Sequence, residues 1–424
     1  MANPAFQRGD FRLLFLVLFI TAAGNTALQS VLPAIGRELE IPDVAVAAIF
    51  SVSALMWTAV SPFWARQSDL RGRKKLVALG MAGYFVSTLL CGIVILSGLL
   101  GWIGPALIVI LFALFRALFG TFGSASNPAA QAYVAQRTSR ADRTAALALL
   151  ASAFGLGTIV GPAVAPLFVH LPIVTLSGPL FAFTLFALIV WLLVLKFLPA
   201  DDPEEMARNL GASQGRKRLS WRDKRIWPFV VVGLISGNMQ AATGQTLGFF
   251  IIDQSGESPI AAQPLIGIAM MAGAGATLLA QWGLIGMFGM GPRQLIRWGC
   301  ALALAGTVGL VFSDGFYAIT ISFALAMLGY GFARPGFSAG ASLAVPPEDQ
   351  GAAAGTVSAV NGASFIIAPT IGVGLYQLSP HLPYAVAALG LAGMLVYVMR
   401  SRSIGDALDA PEDDIPPSED SGTN

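Results

Sequence analysis

Two arginines stand inside long apolar runs, Arg116 within residues 105–131 and Arg334 within residues 316–340. A guanidinium at the centre of a bilayer costs ~2.5–3.5 kcal/mol even on the most lenient scale, so it must find a partner or face water. At 100° per residue, Gly120, Gly123, Asn127 and Gln131 fall within about 80° of the face that carries Arg116. Thr21, Asn25 and Gln29 form a similar polar stripe in an earlier apolar run, and Asn238 and Gln245 another in a later one. Such stripes could bind a polar solute inside a membrane, and each amide is equally suited to an interhelical hydrogen bond. The chain offers little other chemistry. Its 23 acidic residues all fall in loops, tails or span ends, and Cys91 and Cys300 lie singly in apolar runs. There is no cluster with metal-ligand spacing, no nucleophile with a base and no nucleotide-binding loop. An enzyme, a resident metal and any other cofactor are therefore not expected, nor is a nucleic-acid partner.

These residues need a membrane to position them. The chain is 55% hydrophobic and only 11% charged, less than half the ~25% charge of soluble domains, with a mean hydropathy of +0.71. A bilayer core of ~30 Å takes ~20 helical residues. Segments that meet this length lie near 11–35, 44–64, 76–98, 105–131, 145–169 and 174–198, then near 226–252, 262–286, 295–312, 316–340, 351–377 and 382–399. The expected fold is an all-α integral membrane protein with twelve transmembrane helices. The first apolar run is too long for a signal-peptide core and is read as a retained span. With the N-terminus inside, all but three of the 25 basic residues fall in cytoplasmic segments; Arg37 is outside, and Arg116 and Arg334 are within spans. That bias places both termini in the cytoplasm.

The chain also repeats itself. Asp142 through Pro162 aligns without gaps on Asp349 through Pro369, with identities that include Asp142/Asp349, Gly155/Gly362 and Pro162/Pro369. Two pseudo-symmetric six-helix bundles follow, at 1–199 and 226–402. A cytoplasmic linker at 200–225 joins them, and an acidic tail at 403–424 is expected to be disordered.

Between the second and third runs, Arg66, Arg71, Arg73, Lys74 and Lys75 cluster around Asp69 and Gly72. Such a cluster cannot lie in hydrocarbon and reads as a tight cytoplasmic turn. Asp69, Gly72, Arg73 and Lys74 match the signature loop of the major facilitator superfamily, with Ala65, Gln67 and Leu70 departing from it. Arg116-Ala-Leu-Phe-Gly120 resembles the Arg-x-x-x-Gly motif of its proton-coupled members. Gly157-Thr-Ile-Val-Gly161-Pro162 resembles the Gly-x-x-x-Gly-Pro element of its drug/proton antiporter branch. The order of these motifs is most similar to tetracycline-type exporters.

The resemblance implies specific roles. Asp69 would hold the start of span 11 and Arg73 would pair with Asp142, closing the cytoplasmic side; the same cluster also suits a simple positive-inside anchor. Gly157, Gly161 and Pro162 would pack the two halves together. Spans 1, 4, 7 and 10 would line the substrate cavity, which makes Asn25, Gln29, Arg116, Asn127, Asn238, Gln245 and Arg334 the candidate cavity residues. Arg334 could equally snorkel to the inner interface. Coupling to protons usually requires an acid in the membrane, and none is found there. The candidates are Arg116, together with Asp253 and His170 at the outer ends of spans 7 and 5. The expected function is proton-coupled efflux of small amphipathic or drug-like molecules by alternating access. A carrier of organic anions or metabolites that uses the buried arginines is the alternative, and a non-transporting receptor or enzyme a third reading. The expected setting is the inner membrane of a bacterium, with the lipid bilayer, protons and a small-molecule substrate as partners, and a monomer as the working unit.

Overall fold

The computed structural model describes residues 8–138, 140–201, 222–346 and 349–401. Most of the expected linker and all of the expected acidic tail lie outside these residues. Twelve long helices account for the described chain: α1 Arg8–Glu38, α2 Asp43–Arg71, α3 Arg73–Leu99, α4 Pro105–Arg137, α5 Arg140–Val169 and α6 Gly178–Phe197 in the first half. The second half comprises α7 Trp227–Ser255, α8 Pro259–Phe288, α9 Pro292–Val311, α10 Phe316–Leu343, α11 Gln350–Leu378 and α12 Leu382–Arg400. Six of the helices (α4, α6, α7, α8, α9 and α12) begin with proline in the first turn, where the missing N–H has no intrahelical partner to lose.

Eleven of these helices are long and apolar enough to cross a membrane. The exception is α7, which is 29 residues long but carries Ser236, Asn238, Gln240, Thr243 and Gln245. Its polarity is concentrated where helices meet. The outward surface is apolar instead, with Ile110, Leu167, Ile321 and Leu389 between 63% and 75% exposed, as a lipid-facing surface requires.

The expected turn at 69–75 is shorter than its charge suggested. α2 continues through Arg71, Gly72 alone breaks the helix at φ 93°, and α3 starts at Arg73. A side chain would be strained in that left-handed conformation, so glycine is what allows two spans to meet with one residue between them.

The repeat seen in sequence marks the contact between the halves. A Cβ on Gly155 of α5 would stand 2.7 Å from Leu278 of α8, and one on Gly362 of α11 would stand 2.6 Å from Thr58 of α2. The two aligned glycines thus occupy equivalent seams. Gly248 of α7 packs on Pro33 of α1, and Gly267 of α8 on the carbonyl of Pro162.

The motif glycines behave differently from the expectation. Cβ atoms on Gly157 and Gly161 would run into the α1 backbone at Phe19 and Ala23. The Gly-x-x-x-Gly pair therefore packs α5 on α1 inside the first bundle. Only Pro162, among the three motif residues, reaches across to the second. The reason is rotational: residues 157 and 161 share one helix face, while 155 and 162 lie on another.

Candidate substrate cavity and closure sites

Arg116 is 3% exposed and lies within the first bundle, in a small pocket shared with Gly24, Leu28, Tyr84, Thr88 and Cys91. Its Nη2 donates to Asn25 Oδ1 at 2.8 Å. Its guanidinium carbon lies 4.7 Å from the Phe119 ring centre and 5.4 Å from that of Phe50. A delocalised cation between ring faces keeps part of the stabilisation that water would give. Among the described residues its Nε has no hydrogen-bond partner.

The expected continuous polar face of α4 is interrupted just below this arginine. Phe119–Gly123 forms a π-turn, which adds a residue to the turn and rotates everything after it. Gly120 then faces the Ser53 carbonyl of α2, and Gly123 the ring of Phe119. The Thr121 carbonyl in this turn accepts from the Trp64 indole at 2.5 Å and from the Ser124 hydroxyl at 2.9 Å. Asn127 and Gln131 remain together, bonded side chain to side chain at 2.7 Å. Arg116 is thus enclosed with Asn25 rather than lining a cavity wall with them.

Arg334 has a contrasting environment. Its side chain is exposed yet lines a pocket between helices, the combination that a side chain has on the wall of an open cavity. Ser236, Gly237 and Gln240 of α7, Tyr330 of α10, and Asn361 and Ser364 of α11 line the same pocket. The lining from α7 and α11 shows an inward-facing guanidinium rather than one snorkelling to the interface. Of the other cavity candidates, Gln29 approaches Gly244 of α7 and Gln245 is 4% exposed. Asn238 donates to the Leu234 carbonyl of its own helix at 2.7 Å.

Among the described residues, the side-chain hydrogen bonds and ion pairs between the halves lie toward one end of the bundle. Arg37, at the end of α1, reaches Asp43 of α2 at 2.8 Å and Asp253 of α7 at 3.1 Å. Asp253 also accepts from the Tyr376 hydroxyl of α11 at 2.6 Å. Ser51 of α2 bonds Thr370 of α11 at 2.8 Å, and Gln263 of α8 donates to Ser30 of α1 at 3.4 Å. All three links lie within the turns nearest the Arg37 end. Asp253 thus belongs to an interhelical cluster, while His170 is exposed at the end of α5 and outside it. Of these cluster residues, sequence reasoning named only Asp253. The isolation of Arg37 among the outside segments was a usable signal; nothing in the pattern pointed to Tyr376.

At the opposite end, the side chains of Asp69 and Asp142 lie outside the described residues. Arg73 is buried. The described contact there is made by Asp201, just past α6, whose carboxylate accepts from the Lys74 backbone N–H at 3.0 Å and lies 3.5 Å from Arg137. Lys74 is the second residue of α3, so an acid caps a free amide at the positive end of the helix dipole.

Twelve membrane-length helices in two repeated bundles, with a polar pocket between helices and a cluster tying the bundles at one end, define a multi-pass membrane transporter. The Major Facilitator Superfamily matches residues 14–316 and 281–420, and the chain belongs to it. Multidrug resistance protein 1 of Bacillus subtilis (strain 168) is 25% identical over 391 residues, 90% of this chain and 93% of that protein. The class D tetracycline resistance protein of Salmonella ordonez is 32% identical over 157 residues, 36% of each chain. Among solved structures, a bacterial homolog of the human lysosomal transporter Spinster superposes with a TM-score of 0.71 at 14% identity, covering 96% of this chain and all of that one. The last likeness concerns the fold alone. Membership in this family makes the chain a transporter and not an enzyme.

Proposed function

We propose that this chain exports small amphipathic or drug-like molecules across the inner membrane of a bacterium by alternating access coupled to protons. In this reading the Arg37 end faces outward, both termini are cytoplasmic, and the chain works as a monomer. The observation that carries it is the asymmetry of closure. Among the described residues, the side-chain links between the halves lie toward the Arg37 end, and the Arg334 side chain is exposed in its pocket. A cavity sealed on one side and accessible on the other is what an alternating cycle requires of each end state. The naming of full-length relatives as multidrug resistance proteins supports a drug-like cargo.

Proton coupling is assigned to the Arg37 cluster. Two carboxylates, Asp43 and Asp253, share one guanidinium, so the group carries one excess negative charge that a single proton neutralises. Protonation would weaken the hold of Asp253 on Arg37 and favour parting of α1 from α7.

Transport in proteoliposomes with an imposed pH gradient tests this. A panel of cationic dyes and organic anions should include a solute whose movement accelerates with the gradient. Asp253→Asn should keep counterflow and lose most of that acceleration, about ten-fold. Failure of every solute to move would refute the exporter reading. A variant that responds to the gradient like wild type would remove Asp253 from coupling.

A further inference from the structure

We infer that the Arg334 pocket is the subsite for an anionic group, a carboxylate or its equivalent, on the transported molecule. This rests on the exporter reading for its cargo but not for its binding chemistry. Among the described residues the guanidinium of Arg334 has no hydrogen-bond or ion-pair partner, its carbonyl alone accepting from the Ser338 hydroxyl at 3.0 Å, and neither does the side-chain amide of Gln240 or of Asn361 in the same pocket. A guanidinium offers five donors in a planar fork that fits a carboxylate with two parallel bonds. The two amides add neutral donors from the facing helices, and Ser236 and Ser364 are already bonded to backbone carbonyls of their own helices at 2.7 and 3.0 Å. The pocket therefore holds more unengaged donors than acceptors.

The pocket lining argues against the simplest alternative, an interfacial anchor. Arg334 lies nine residues before Leu343 at the end of α10, about 14 Å of helix at 1.5 Å per residue, and its pocket is lined by α7 and α11 rather than open to the lipid-facing surface. No described acid faces it; those nearest that end, Asp223 and Asp349, are engaged with Arg225 at 2.9 and 3.2 Å. Gly237 is what brings α7 so close to α11: a Cβ there would collide with the Ser364 hydroxyl. That closeness places Gln240 and Asn361 within one pocket. The enclosed Arg116 adds a second positive charge to the interior with no described carboxylate to offset it in mid-membrane. Both charges favour an anion over a cation in a low-dielectric cavity.

Two dyes on one xanthene frame test the inference: fluorescein, which carries a carboxylate, and a cationic rhodamine methyl ester. Binding is read by fluorescence anisotropy with the full chain in phosphatidylcholine nanodiscs, separately from any transport. Fluorescein should bind the wild type, lose about ten- to a hundred-fold in affinity with Arg334→Gln, and recover in part with Arg334→Lys. The rhodamine ester should change by less than two-fold, and thermal melting of both variants should match wild type. Absence of fluorescein binding, or equal losses for both dyes, would overturn the inference. Displacement of fluorescein by added phosphatidylglycerol would overturn the assignment to cargo in favour of a lipid phosphate. Arg334-dependent fluorescein binding in a protein that moves no solute of the transport panel would leave the subsite standing and refute the exporter.

Discussion

The two halves each carry one arginine well inside a membrane-spanning helix, away from its ends, and treat it in opposite ways. Arg116 in α4 is clasped by Asn25 and flanked by two rings, at 3% exposure. Arg334 in α10 stands open to water with no described partner. The difference shows that an arginine in a span is not by itself a binding site. One charge is consumed in holding α1 to α4, while the other remains available to a ligand. The seams differ as well: α5 meets α1 through the Gly157 and Gly161 pair, whereas Ser364, which aligns with Gly157, meets α7 through Gly237.

The comparison can be tested at several points. The largest effect should come from Gly161→Leu, because its Cβ would enter the Ala23 carbonyl and backbone cannot yield as a side chain can. Overpacking usually costs ~1–3 kcal/mol, and here the loss should exceed about 3 kcal/mol. It would be seen as a failure to recover a single sharp peak by size exclusion. Gly374→Leu in α11, with nothing within 4 Å of its Cβ, should behave as wild type. Next comes Asn25→Leu, which leaves the buried Arg116 without its acceptor. Hydrogen bonds to charged groups are worth ~1.5–3 kcal/mol, and thermal melting should fall accordingly. Asn361→Leu in the open pocket should change stability by less than ~0.5 kcal/mol. If both asparagine variants lose equal stability, the contrast between clasped and open charge fails. The smallest effect is expected from Arg334→Met, within ~0.5 kcal/mol of wild type in melting. A large loss there would mean that this arginine is structural after all.

Much of the fold was legible because membrane spans are selected by length and apolarity, both local properties. All twelve helices coincide with expected segments, most ends agreeing within four residues, while α2 and α4 run seven and six residues further and α5 starts five earlier. The Gly155/Gly362 identity marked equivalent seams, since only a small residue lets two helices approach so closely. The site was less legible. The face drawn through Arg116, Gly120, Asn127 and Gln131 assumed uniform helical rotation, and the π-turn at Phe119–Gly123 broke that assumption. The Arg37 cluster draws on α1, α2, α7 and α11, with Arg37 and Asp253 216 residues apart, a separation no periodicity can register.

By itself the sequence determined that this chain crosses a membrane many times, in two related halves, with its few charges confined to ends and two arginines inside. Hydrocarbon imposes those features on any chain that enters it, so they are written residue by residue. Only the tertiary structure decided which arginine is enclosed and which is open, and where the described side-chain bonds tie one half to the other. Those outcomes depend on whether a neighbouring helix presents an acceptor, a ring or a gap, and that is fixed by packing between helices far apart in the chain.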